Sequence, residues 1–314
     1  MSEISNTRPG TLFMLVGPGG VGKNALMQKL IKRADWLNQL PTATTRPPRE
    51  GEAHGIHHFF ITLDEFQNLI KTNALLEYQE VHPGKFYGVP RTTLEGILQK
   101  GQQRIADIEF KGAAIIKETY PQGSVAIFIA PPTYDTLIER LEDRKATQAQ
   151  IDERLARVSD EMLYALNCDY IVVNDDMSDA VDELHAIIQA IRENKTQQAS
   201  TEVNKTTFTI EVLPMFNDEI LTRQSKPILP SATAHKGDDP NAIAAQALEN
   251  ALSITPIASQ LSYGVPETGH PVVFNYAPQQ SSYALTFCYT YRLTGRITPP
   301  EGWEWRPYAE IMGN

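Results

Sequence analysis

Apolar positions in the first two thirds of the chain fall into short continuous runs separated by amphipathic stretches. That alternation is expected of a buried parallel sheet flanked by helices. Residues 12–16, 104–108 and 170–173 read as strands, and 25–33 and 179–192 as helices with apolar residues three and four apart. Beyond residue 206 the pattern changes. Residues 208–213 alternate as a strand, 216–219 read as a turn and 220–223 resume an extended pattern, so a hairpin is expected. A helix over 241–252 and strands at 272–276, 282–291 and 303–307 follow. Residues 193–206, ENKTQQASTEVNKT, are polar and aperiodic, as a flexible linker is. The pattern predicts an α/β domain over 10–195, a linker over 196–205 and a smaller α+β domain over 206–314. A chain of 314 residues exceeds one typical domain, in agreement with this division.

The first strand runs into Gly17, Pro18, Gly19, Gly20, Val21, Gly22, Lys23 and Asn24, a Walker A phosphate loop in all but its last position. Gly17, Gly20 and Gly22 let the backbone curl so that successive N–H groups face phosphate oxygens. Lys23 adds a mobile positive charge at the β- and γ-phosphates. A nucleoside triphosphate site is the expected consequence. Asn24 stands where Ser or Thr would offer Mg2+ a hydroxyl; its amide oxygen is also a hard neutral ligand, able to meet the metal directly or through water.

Just downstream, residues 42–52 read TATTRPPREGE, placing Arg46 and Arg49 on a proline-stiffened segment rather than a helix face. Two guanidinium forks held this way suit a dianionic phosphate, each able to donate a bidentate pair of charge-assisted bonds. A second phosphate site beside a phosphate loop implies a second phosphorylated substrate.

At this point the chain resembles guanylate kinase. The blocks GPGGVGKN, TATTRPPREGEAHGIHHFF, LLEYQEVHPGKFYGVPR, DIEFKGA, IFIAPP, ERLEDRKATQAQIDERL and DYIVVNDD stand in family order through most of residues 11–192. The resemblance implies a P-loop kinase core with a parallel sheet, an inserted monophosphate-binding arm and a lid, passing phosphate from ATP, with Mg2+, to GMP or dGMP. It assigns Arg46, Arg49 and Tyr87 to the acceptor phosphate and Thr42 and Glu77 to the guanine. It also assigns Arg140, Arg144 and Arg154 to the lid, Asp107 to Mg2+ and its waters, and Asn174, with Asp175, to the loop on the ATP side. A carboxylate at 77 can accept from guanine N1–H and N2–H2 together, which adenine cannot match.

Departures from the family pattern gather in the acceptor site. His58 stands where the family has a phosphate-binding Tyr, and a histidine there can donate to phosphate, more strongly when protonated. Val89 replaces a base-bonding hydroxyl residue, Glu109 replaces an Asp, and one residue is inserted within 81–87. The histidines at 54, 57, 58 and 82 have a spacing possible for a transition metal, but no Cys joins them.

Residues 206–314 are similar, more faintly, to a Nudix hydrolase fold, through ILPSATAHKGDDPNAIAAQALENALSI. The acids that would hold a metal are replaced by Ala247, Asn250 and Ala251, leaving Asp238 alone on a box acid, so a noncatalytic module is expected; an unrelated α+β appendage is the other reading.

A formal charge of −10 argues against a general nucleic-acid binder. Cys168 and Cys288 are too few for a disulfide framework, no apolar stretch suits a membrane span, and the N-terminus lacks an apolar signal core. A cytoplasmic monomer or homodimer is expected. Two rival readings stay open: a P-loop kinase acting on another phosphorylated acceptor such as a ribose bisphosphate, and a binding module without catalysis.

Overall fold

The computed structural model describes residues 10–143, 147–193, 205–224, 229–263, 272–277 and 282–309. These form two compact units, one of Met1–Pro131 and Cys168–Val203, the other of Pro132–Asn167 and Asn204–Asn314. The units cut across the division read from the sequence, because residues 132–167 group with the C-terminal part. Of the expected linker, 196–205, residues 196–204 lie outside the described residues and Lys205 opens a strand.

In the first unit, β1 (Thr11–Val16), β2 (Leu37–Gln39), β7 (Gln103–Asp107), β8 (Ser124–Ala130) and β9 (Tyr170–Val173) make a parallel sheet in the order β2-β7-β1-β8-β9. The runs are continuously apolar because helices cover them. α1 (Lys23–Arg33) and α7 (Met177–Arg192) enclose a core of Phe13, Leu15, Leu26, Leu30, Ile105, Ile127, Val172, Leu184 and Ile187. The chain lays β2 and β7 on one side of β1 and β8 and β9 on the other. Such a reversal opens a crevice at the carboxyl end of the central strand, where α/β sheets place ligands.

Between β2 and β7 an arm is inserted. Its sheet, β4-β3-β6-β5, is built of β3 (Thr42–Thr44), β4 (His58–Phe60), β5 (Leu75–His82) and β6 (Lys85–Pro90). α2 (Leu63–Lys71) opens with a capping box, Thr62 with Glu65, and seats Phe66 against Ala43 and Leu75. α3 (Arg91–Gln99) leads into β7, and α4 (Phe110–Thr119) leads from β7 toward β8.

The second unit contains α5 (Tyr134–Glu142), α6 (Gln148–Leu163) and a mixed sheet. β10 (Lys205–Phe216) pairs in parallel with β15 (Ser282–Arg292) and antiparallel with β11 (Glu219–Arg223), giving the expected hairpin, whose turn places Asn217 at a φ of 52°. β14 (Val272–Ala277), β16 (Trp303–Pro307) and α8 (Pro240–Leu252) lie within a few residues of their expected bounds. β12 (Ser231–Ala234) and β13 (Leu261–Tyr263) were not legible as strands, being short and flanked by polar residues.

Candidate active site

The phosphate loop leaves the carboxyl end of β1 with Gly17, Gly20 and Gly22 at φ values of 139°, 98° and 103°. Only glycine takes these without strain, and at Gly17 and Gly22 a side chain would also lack space. A Cβ on Gly17 would sit 2.3 Å from the carbonyl oxygen of Ile129, and one on Gly22 would sit 2.6 Å from Nδ2 of Asn174. Gly22 is the N-cap of α1 with no capping side chain, so the first N–H groups of an eleven-residue helix face the loop. Lys23 donates to the carbonyls of Gly17 at 2.7 Å and Pro18 at 3.2 Å, and lies 3.7 Å from Asp107.

Asp107 ends β7 level with Leu15 of β1, and its carboxylate is 39% exposed. Asn174, just past β9, is buried and donates to the Val21 carbonyl at 2.7 Å, bracing the loop from behind. Asn24 is exposed in the first turn of α1. Lys23, Asp107, Asn24 and Asn174 are thus gathered around the carboxyl ends of β1, β7 and β9.

In the arm, Arg46 is buried, and four of its five N–H donors have partners within the arm. Nε donates to the Tyr87 hydroxyl at 2.9 Å, Nη1 to the Pro47 carbonyl at 2.9 Å, and Nη1 and Nη2 to the two carboxylate oxygens of Glu52 at 2.5 and 2.6 Å. Glu52 also accepts from the Arg49 backbone N–H at 2.7 Å. The bidentate pair expected to face a phosphate is therefore turned onto a carboxylate six residues away, because the Pro47–Pro48 turn brings the two into one loop. The Arg46 guanidinium, with the Arg49 N–H, holds Glu52 down at about 2. Arg49 itself is exposed. Sequence reasoning missed Glu52, though a carboxylate three and six residues from paired arginines was a signal.

His58, read as able to donate to phosphate more strongly when protonated, is held in its neutral form here. Burial, with the Arg46 charge second, depresses its pKa to about 4, so the ring is neutral at pH 7. Its Nδ1 shares a 2.7 Å hydrogen bond with the Thr42 hydroxyl, which ties Thr42 to the histidine. Among the other histidines, His57 Nδ1 accepts from the Ala53 N–H at 3.0 Å and His54 packs edge-on to Phe59.

Glu77, on β5, has its pKa displaced in the opposite direction from that of Glu52. Burial, with the Glu109 charge second, raises its pKa to about 7, opposed by a hydrogen bond from the Val89 backbone N–H. Glu109 caps α4 through the Lys111 N–H at 3.2 Å and accepts from the Gln79 amide. A Cβ on Gly112 would meet Oε2 of Glu77 at 2.5 Å, so any larger residue there would displace this carboxylate. Gly112 is a second residue the sequence reading passed over, although it sits in the DIEFKGA block.

Of the lid arginines, Arg140 is half-buried on α5 and Arg154 is carried by the backbone of α6; Arg144 lies outside the described residues. All three positions belong to the second unit. In that unit the one retained box acid, Asp238, accepts from the His235 N–H at 2.7 Å and closes a local turn. Ala247 is buried, and Asn250 is exposed on α8.

A parallel sheet with a glycine loop and lysine at its switch point, and an arginine- and glutamate-bearing arm in the same unit, defines a P-loop nucleotide phosphotransferase. The guanylate kinase family model matches residues 9–191. A guanylate kinase of Desulfitobacterium hafniense is 40% identical over 182 residues, 58% of this chain and 90% of the relative. One of Neisseria meningitidis serogroup A is 35% identical over 196 residues, 62% of this chain and 95% of the relative. The crystal structure of guanylate kinase from Anaplasma phagocytophilum covers 59% of this chain and 87% of its own, at 30% identity and a TM-score of 0.46. The chain belongs to the guanylate kinase family. No helix among the described residues is long and apolar enough to cross a membrane.

Proposed function

We propose that the chain transfers the γ-phosphoryl group of ATP to GMP or dGMP, giving ADP and the corresponding diphosphate. The observation that carries this reading is one compact unit holding both a phosphate loop with Lys23 and a carboxylate pair, Glu77 and Glu109, suited to a base edge rich in donors. A ribose bisphosphate would offer no such edge. An oxygen of the acceptor phosphate attacks the γ-phosphorus, that O–P bond forms, and the bond to the β,γ-bridging oxygen breaks with ADP leaving. No protein nucleophile is required. The loop N–H groups and Lys23 stabilise charge on the transferring group, while Arg46, Arg49 and Tyr87 hold the acceptor phosphate. Glu77, ionised, accepts from N1–H and N2–H2 of guanine; Thr42, Glu109 and His58 shape the same arm. Arg140, Arg144 and Arg154 exclude water and add charge when the lid covers the phosphates.

A divalent cation fits the donors present. Asp107 offers a partly exposed carboxylate beside the lysine and Asn24 an exposed amide oxygen, both hard ligands suited to Mg2+. Bound there with ATP, it would neutralise phosphate charge. Residues 206–314 are read as a noncatalytic Nudix-like module, since α8 carries Ala247, Asn250 and Ala251 where a hydrolase would need acids. A cytoplasmic location fits the nucleotide substrates and a sequence with only two cysteines. The test is ADP release with GMP, dGMP, AMP, CMP and UMP as acceptors. GMP and dGMP should far exceed the others; equal rates on all five would refute guanine recognition.

A further inference from the structure

Residues 132–167 carry the lid arginines, yet they group with the C-terminal part of the chain rather than with the phosphate loop. Seven apolar side chains of this short segment are almost fully buried: Leu137, Leu141, Ile151, Val158, Met162, Ala165 and Leu166. Two helices of 9 and 16 residues offer too little surface to bury so much against each other alone. One hydrogen bond and two electrostatic neighbours show what the C-terminal domain contributes. The Gly237 N–H, in the turn before α8, donates to the Leu166 carbonyl at 2.9 Å. Tyr263 of β13 has Tyr134 of α5 and Asp160 of α6 among its electrostatic neighbours. Tyr283 of β15, 3% exposed, also has Tyr134 as a neighbour. α5 thus has β13 and β15 as neighbours, α6 has β13, and the turn after α6 is bonded by the turn before α8. Tyr263 is itself seated against Tyr289, with ring centroids 5.2 Å apart, so these contacts are rooted in the domain core.

We propose that the partner of the lid surface is this chain's own C-terminal domain: residues 132–167 and 205–309 form one body, in which Tyr263, Tyr283 and Gly237 seat the lid helices and so set the position of Arg140. The appended domain is then part of the phosphotransfer machinery rather than a passenger on a flexible tether. Its consequence for turnover rests on the kinase reading; the existence of the body does not.

The test separates the two. In the full chain, spin labels at Glu139→Cys on α5 and Asn250→Cys on α8, both exposed positions, report the distance across the body by double electron–electron resonance. One narrow distribution, unchanged by ADP with GMP, is expected. A broad distribution, or one that shifts with the nucleotides, would overturn the proposal whatever the activity. Tyr263→Ala should broaden the distribution and lower kcat by about tenfold, while Tyr263→Phe, keeping the ring, leaves both near the parent. A Tyr263→Ala protein with a narrow distribution would overturn the seating residues. One with a broadened distribution but undiminished kcat would overturn the link to catalysis.

Discussion

Glu77 makes the acceptor site pH-sensitive in a way that can be worked out from the structure. Its carboxyl titrates at about 7, because burial disfavours the charge and Glu109 adds a like charge. Only the ionised form accepts both guanine donors. At about pH 8 roughly nine-tenths of the free enzyme has Glu77 ionised; at about pH 6 roughly one-tenth does. Since an acceptor that needs a minor form binds more weakly by the fraction of that form, the KM for GMP should rise about tenfold between these values, with kcat at saturating GMP changing much less. Initial rates of ADP release at saturating ATP across this range measure it directly. The GMP phosphate also titrates, near pH 6 for a monoester, so the control is Glu77→Gln, whose KM should be high throughout and nearly flat above that pH. Glu109→Gln removes the neighbouring charge and should move the midpoint to lower pH.

The sign for stability runs the other way from that of a salt bridge. A carboxyl raised above its unfolded value penalises the folded state once pH exceeds about 4.5, and the penalty is complete above about 7. Without ligand, Glu77→Gln should therefore be at least as stable as the parent at about pH 8 while binding GMP worse. A KM that stays constant between pH 6 and 8, or an identical rise in Glu77→Gln, would refute the assignment of Glu77 to the base.

Lys23→Ala should lower kcat by roughly a hundredfold or more with a modest change in ATP affinity, read from single-turnover rates and equilibrium binding; activity within a few-fold of the parent would show the loop to be misread. Glu52→Gln keeps the shape but loses the charge that orients Arg46, so the KM for GMP should rise about tenfold or more with ATP affinity unchanged, and a fall in KM would mean that Glu52 competes with the acceptor phosphate. Gly112→Ala drives a methyl into the Glu77 carboxylate and should weaken GMP binding while leaving the KM for ATP alone; an unchanged KM for GMP would show that α4 yields at no cost.

The phosphate loop was legible because its chemistry is local. Glycine positions, lysine and flanking elements lie within about twenty residues, and the backbone angles found are those the motif requires. The arm was legible as residues but not as a network. Spacing could place Arg46 and Arg49 together, whereas the turn of Arg46 onto Glu52 depends on how two prolines fold the loop back. The pKa values of Glu77 and His58 move in opposite directions, yet burial, which disfavours whichever form is charged, dominates both. No pattern of residue types reveals that before packing does.

The second unit shows where a reading along the chain reaches its limit. The lid arginines and the strand pattern beyond the linker were each visible, but their association is between segments more than seventy residues apart in sequence. Helical periodicity says that a face must be covered and does not say by what. Leu137, Leu141, Val158 and Met162 satisfy an amphipathic pattern equally well against a phosphate-loop core or against a foreign sheet. What distinguishes the two is carried by residues with no motif, the aromatic ring of Tyr263 and the bare N–H of Gly237. A polar connection between two domains is compatible with independent domains only when no other surface joins them. Here the chain between α5 and α6 of the lid and the appended sheet is long enough for the sheet to return to the lid, and composition alone favours neither arrangement. The domain division suggested by the linker is therefore a statement about connectivity, and the division that governs motion follows the packing.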